Sequence, residues 1–265
     1  MTPVAVTLLY VPADRADRAA KALALGPDVV IVDLEDAVAP AAKPAAREAL
    51  PSLLAGRGPS RVQVRVNALG TRTVALAARE MGALLVAIST DYVFDGEKGE
   101  PYHEFDEPRP ASVYGKSKLA GEAEARLAPD HLIVRTAWVF GAGDDFVSEA
   151  IRRLTRGEEA GAITDLYGTP THVGHLADRI LPAALSGLRG LVHLGGPERM
   201  SRHELLARAK QIGDLPGELV EQKAGDLDRP APRPADSSLT SLVLEGSGVP
   251  PMPPIDAAIE EILED

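Results

Sequence analysis

Residues 89–122, STDYVFDGEKGEPYHEFDEPRPASVYGKSKLAGE, decide the fold, and the rest of the chain is organised around them. Thr90 follows the apolar run Leu84–Ile88, so a buried strand delivers its hydroxyl to a strand end. Tyr114 stands four residues before Lys118 at the start of a helical pattern, and positions i and i+4 share one face of a helix. A free phenol titrates near roughly 10, and an ammonium beside it favours the phenolate and lowers that value. A phenol, a cation and a nearby hydroxyl are the groups needed to protonate a carbonyl oxygen while hydride reaches its carbon. A lone Tyr-x-x-x-Lys is more often an ordinary helix-surface pair, so the neighbouring strings must carry the assignment.

Those strings are VNALGTRTVALAARE (66–80), ISTDYVFDG (88–96), YGKSKLAGE (114–122), VRTAWVFG (134–141), DLYGTPTHVGHLAD (165–178) and RPADSSL (233–239). In this order they resemble the dTDP-4-dehydrorhamnose reductase family, in the extended branch of the short-chain dehydrogenases/reductases. The resemblance implies reduction of a 4-keto nucleotide-sugar by NADPH or NADH, for cell-surface polysaccharide. Tyr114 would donate the proton, Lys118 would lower its pKa and hold the nicotinamide ribose, Thr90 would orient the carbonyl, and Ser89 would lie beside the cofactor. Tyr92 and Trp138 would line the sugar pocket, and Arg233 would meet the diphosphate. Magnesium has no motif to support it. A homodimer is compatible with the family but not fixed by the sequence.

The composition bounds the alternatives. The chain has 265 residues, is 45% hydrophobic and carries a formal net charge of -11, so it buries a core and offers no basic surface for nucleic acid or an anionic membrane. It has no cysteine, which removes disulfides, thiol nucleophiles and thiolate metal sites. No apolar run approaches the roughly 20 residues of a spanning helix, and no basic residue precedes the apolar start, so cytoplasm is the expected location.

Residues 1–67 alternate strand, helix, strand, helix, strand: VAVTLLYV (4–11), a helix capped by Asp14, DVVIVDL (28–34), a helix with Pro44 in its first turn and interrupted at Pro51, and SRVQVRVN (60–67). This order implies parallel pairing. A dinucleotide-binding start should turn through glycines at the end of its first strand; here the turn is VPADRADR, with Asp14 and Asp17 where a phosphate would lie. The segment instead resembles the citrate lyase β-subunit-like family of acyl-CoA carbon–carbon lyases, built on a TIM barrel. That resemblance implies active-site positions for Glu35, Asp36 and Arg65, although the family's magnesium carboxylates come from later strands that the chain lacks. The expected architecture is therefore α/β, a Rossmann-like, mostly parallel sheet with helices on both faces and a small C-terminal substrate lobe, its first strands supplied by a TIM-barrel-derived βαβαβ segment. The two parts meet near residue 68, as in a chimera. A non-catalytic relative of the same fold and an acyl-CoA lyase fragment are the rival functions.

Downstream, Leu69, Val74, Leu76 and Ala77 are expected to face a sheet. Asp144 and Asp145 place a second carboxylate where the family usually has an asparagine. Residues 200–211 read as a helix facing the substrate, and Ile255, Ile259, Ile262 and Leu263 mark one face of a closing helix. His172 and His175 are three apart with no third metal ligand patterned nearby, so surface or substrate-lobe polar roles are expected for both.

Overall fold

The computed structural model describes residues 8–25, 29–33, 38–55, 61–65, 68–141, 143, 145–227 and 231–264. Two compact units divide the chain: Met1–Ala87 with Ala120–His131, and Ile88–Leu119 with Leu132–Asp265.

In the first unit, β1 (Leu8–Pro12), α1 (Ala16–Ala24), β2 (Val29–Asp33), α2 (Lys43–Ala55), β3 (Arg61–Arg65) and α3 (Ala68–Glu80) realise the expected βαβαβ order. The sheet runs β1-β2-β3, all parallel, with Tyr10 opposite Ile31 and Ile31 opposite Gln63. Val11, Val30 and Val32 pack against Ala19, Leu50 and Ala77 from the helices. A parallel βαβαβ run is common to TIM barrels and Rossmann sheets, so this topology alone does not mark the segment as barrel-derived. Glu35 and Asp36 lie outside the described residues, and Arg65 is the last residue of β3.

Three local expectations fail here. Pro51 sits inside α2, which continues through it. Residue 15, not Asp14, is the N-cap of α1, and it makes no side-chain cap. Leu69 is 61% exposed, while the buried face of α3 is made of small residues, Gly70, Thr71, Ala75, Ala77 and Ala78. Close packing of a helix selects for low volume at the contact, and a hydrophobicity pattern does not register glycine and threonine there.

β4 (Leu85–Thr90) leads to a single 3-10 turn, Asp91–Val93, and α4 (Val113–Ala125) follows the long polar loop. Then come β5 (His131–Thr136), β6 (Val139–Phe140), α5 (Phe146–Thr155), β7 (Ala160–Ile163), β8 (Tyr167–Gly168), β9 (Thr171–His172), α6 (Val173–Leu185), β10 (Gly190–His193), β11 (Met200–Ser201), α7 (Arg202–Ile212), β12 (Leu219–Gln222) and α8 (Ile255–Glu264). A second three-stranded sheet has the order β10-β5-β4, with β10 and β5 parallel. Two-stranded pairs β12-β7 and β6-β9 are parallel; β11-β8 is antiparallel.

The core of the second unit lies between α5, α7 and α8 and the strand β7, where Leu154, Leu205, Leu206, Ile255 and Ile259 are buried and Ile262 and Leu263 pack at its edge. The closing helix thus buries the face its sequence predicts. Helix α7 is held by a capping box, Ser201 with Glu204, and its Leu205, Leu206 and Ala209 go into this core. Among the described residues, no helix is long and apolar enough to cross a membrane.

Candidate active site

The loop 91–112 returns the chain so that the first turn of α4 lies on the end of β4. Lys118 Nζ donates to the Ile88 carbonyl at 2.8 Å, and the Tyr114 ring meets Tyr92 edge-on, centroids 5.9 Å apart. Gly115 makes this approach possible: a Cβ there would overlap the Tyr92 carbonyl oxygen and lie 2.9 Å from Pro110 Cβ. Backbone cannot yield as a flexible side chain can. Gly115→Ala should therefore cost about 1–3 kcal/mol and displace the Tyr114 turn. A melting temperature and kcat both equal to wild type would contradict that packing.

Thr90 ends β4, buried to 7% exposure, and its hydroxyl donates to Asp91 Oδ1 at 2.9 Å while accepting from the Tyr92 amide at 3.3 Å. Ser89 is buried beside it, and Tyr114 is 54% exposed. The second oxygen of Asp91 accepts from Ser237, 146 residues later. Ser237 belongs to RPADSSL, which Asp236 organises: its Oδ1 accepts from the Ser238 amide and hydroxyl, and its Oδ2 pairs with Arg199 at 2.7 Å. The contact between Asp91 and Ser237 carries no local signature, since the two are 146 residues apart.

Complete burial pushes Asp91 up to about 6, against the lowering effect of the Ser237 and Thr90 hydroxyls. A carboxyl whose folded pKa exceeds its unfolded value stabilises the fold at low pH, and that contribution disappears as pH rises through about 6. In Asp91→Asn the term is absent. The wild-type stability relative to that variant should therefore grow by up to about 3 kcal/mol from pH 7 to pH 4, since the shift from 3.8 to about 6 converts at 1.36 kcal/mol per pH unit. Unfolding curves at several pH values measure it, and a difference independent of pH would contradict it.

Trp138 follows β5 in a left-handed conformation, φ 43°, which is uncommon for a non-glycine residue. Gly168 clears space for its indole, since a Cβ there would lie 2.5 Å from Trp138 Cε2. The Arg202 guanidinium covers both Trp138, at 5.0 Å, and Phe146, at 4.8 Å. These three residues line one small recess, which Tyr92 does not join. Of the two expected sugar-pocket aromatics, Tyr92 meets the Tyr114 ring and Trp138 the Arg202 guanidinium. Helix α7 meets the recess through its first turn, Arg202 and Leu205. Arg233 is exposed.

Asp145 has a structural task. It caps α5, accepting from the amides of Val147 and Ser148, the Ser148 hydroxyl and the Gly141 amide. These bonds outweigh burial and hold its carboxyl below the usual range. Asp144 lies outside the described residues.

A buried polar cluster escaped the sequence reading. Glu104 accepts from the His193 and Leu242 amides and from Ser241, and these bonds lower its pKa despite burial. Burial pushes His193 down to about 4, and it sits 3.4 Å from the buried Arg135 guanidinium, which covers the Phe94 ring. The partners are 58 and 89 residues apart, so no local pattern announces them.

In the first unit, the turn after β1 is acidic. Arg15 is held by both oxygens of Asp17, at 2.9 and 2.8 Å, and this hydrogen-bonded pairing lowers Asp17 to about 2. Asp14 and Asp17 are both exposed at the start of α1.

Parallel strands joined by helices, with a strand-end threonine and a helix-borne tyrosine and lysine, define the class of Rossmann-like short-chain dehydrogenases/reductases. The RmlD substrate binding domain model matches residues 59–265, and the chain belongs to that family. A second match, to HpcH/HpaI aldolase/citrate lyase, covers residues 6–88, so both resemblances read from the sequence are found and they overlap at 59–88.

A dTDP-4-dehydrorhamnose reductase of Mycobacterium tuberculosis is 39% identical over 201 residues, 72% of this chain. The match spans 66% of that relative's length. Among solved structures, the dTDP-4-dehydrorhamnose reductase of Bacillus anthracis in complex with NADP is 28% identical, with TM-score 0.73 over 95% of this chain and 86% of that one. The Clostridium acetobutylicum ortholog is 31% identical, with TM-score 0.71 over the same shares.

Proposed function

We propose that the chain reduces the 4-keto group of dTDP-4-dehydrorhamnose with NADPH, giving dTDP-rhamnose. The observation that carries this reading is the anchoring of the Tyr-x-x-x-Lys turn on the end of β4 through Lys118 and Tyr92. It is joined by the relatives of that name. When bound, the nicotinamide supplies a hydride to the substrate carbon.

The chain's own residues handle the oxygen. Tyr114 gives its phenolic proton to the keto oxygen as the C=O double bond becomes C–O–H, and solvent reprotonates the phenolate. Lys118, fixed by the Ile88 carbonyl, places a positive charge on that face of α4 and favours the phenolate. Thr90 orients the oxygen, with its own proton set by the state of Asp91. Ser89 sits on the cofactor side, Tyr92 and Trp138 contact the sugar, and Arg233 meets the diphosphate.

The residues fit the cofactor unevenly. Tyr114 and Lys118 suit a nicotinamide ribose, but the turn after β1 offers no glycine and carries two exposed carboxylates. We read the segment before residue 68 as lyase-like sequence joined to a reductase. Substrate-dependent NADPH oxidation by the purified chain tests the function; its absence at millimolar NADPH, with the fold intact, would refute it.

A further inference from the structure

We propose that His172, His175 and Glu261 form a binding site for one divalent transition-metal ion, with Zn2+ the best fit. Neither histidine lies on the surface: each imidazole is only 10% exposed. The third ligand, absent from the local sequence, comes from α8. Glu261 Oε2 lies 3.3 Å from His172 Nδ1, and Oε1 lies 3.0 Å from His175 Nε2. One donor atom from each residue falls within 4.8 Å of the others.

The site is built rather than accidental. His172 precedes α6 and His175 lies in its first turn, so the two rings meet edge-on with centroids 4.7 Å apart. Gly141 makes room for the His172 ring, because a Cβ there would overlap its Cδ2 and Nε2. Gly174 keeps the space beside Nδ1 open, its virtual Cβ lying 3.4 Å away.

Two imidazoles and a carboxylate match the preference of zinc for nitrogen and oxygen donors, with a fourth position left for water. Metal–ligand bonds of about 2.0–2.1 Å at tetrahedral angles set donor atoms about 3.4 Å apart. The two short histidine–carboxylate separations use different carboxylate oxygens, Oε2 towards His172 and Oε1 towards His175. With one oxygen as donor, no pair of the three donor atoms is more than 4.8 Å apart, so closure takes at most about 1.4 Å for any pair, within reach of a rotamer adjustment. Glu261 is 53% exposed, so an ion can enter from solvent. Bound metal would tie α6 to the closing helix, whose other face is in the core.

The test uses the untagged full chain, stripped with chelator and titrated with Zn2+ by calorimetry. Expected are one equivalent bound with a micromolar or tighter Kd, and a rise in Tm of about 5 °C at a hundredfold excess over Kd. Co2+ should give the intense visible absorption of a four-coordinate ion. Glu261→Gln keeps a hydrogen-bonding group between the histidines but is a poor zinc ligand, so it should fold normally and bind Zn2+ at least tenfold more weakly. His172→Ala should lose the Co2+ spectrum. No binding by the wild type at micromolar Zn2+, or equal affinity in Glu261→Gln, would overturn the proposal. A Tm loss in His172→Ala without any wild-type response to Zn2+ would do the same, showing only a histidine–carboxylate clip.

Discussion

Tyr114→Phe is expected to lower kcat for keto-sugar reduction by about 100- to 10,000-fold, which is the usual contribution of a general acid and corresponds to about 3–5.5 kcal/mol of barrier. Stability should hold within about 0.5 kcal/mol, because the side chain is half exposed and its ring contact with Tyr92 survives the change. The substrate KM should move little, since only the proton in flight is lost. Lys118→Met is the complementary variant: it removes the charge that favours the phenolate and the bond to Ile88 together, so kcat should fall and the pH at which activity declines should shift upward. Turnover unchanged in Tyr114→Phe would assign the proton to another group.

The second large effect concerns the turn after β1. In a glycine-fingerprint site the cofactor diphosphate accepts hydrogen bonds from backbone amides at a helix start, aided by the helix dipole. Here Pro12 lacks an amide hydrogen, no glycine permits close approach, and Arg15, in the turn itself, is paired with Asp17. Each lost charge-assisted bond is worth roughly 1.5–3 kcal/mol, so losing two or three weakens binding by about a hundredfold to a millionfold. NADPH should therefore bind with a Kd far above the low-micromolar range, and reduction should be slow at ordinary cofactor concentrations. The double variant Asp14→Asn, Asp17→Asn should tighten binding at least tenfold, since it removes two repelling charges and releases Arg15. A low-micromolar Kd for the unmodified chain, by calorimetry, would mean that other residues build the phosphate site.

What the sequence disclosed and what it hid divide by distance along the chain. The strands β2, β3, β4 and β5 and the closing helix follow from apolar runs and one-face periodicity, which are properties of a few adjacent residues. The parallel sheet of the first unit follows from alternation of those elements. The helix turn bearing Tyr114 and Lys118 is equally local, and the structure puts it where its spacing indicates. The misreadings came from contacts that local rules cannot contain. Leu69 points outward because α3 packs through glycine, threonine and alanine. Pro51 stays helical because the tertiary packing of α2, including buried Leu50, overrides the intrinsic cost of proline. Asp145 is a cap because the chain bends at Gly141 to meet it. The Asp91–Ser237 bond and the His175–Glu261 contact join residues 146 and 86 positions apart, so only the folded chain brings them together.

The central claim is that a complete Tyr114–Lys118–Thr90 centre operates on a chain whose phosphate turn is defective. Initial rates of NADPH oxidation with dTDP-4-dehydrorhamnose, taken from micromolar to millimolar NADPH for the wild type and Tyr114→Phe in parallel, test it most directly. The account predicts a substrate-dependent rate that rises across the whole range without saturating at micromolar cofactor, and that falls at least a hundredfold in Tyr114→Phe. Saturation at low-micromolar NADPH, or equal rates for the two proteins, would contradict it.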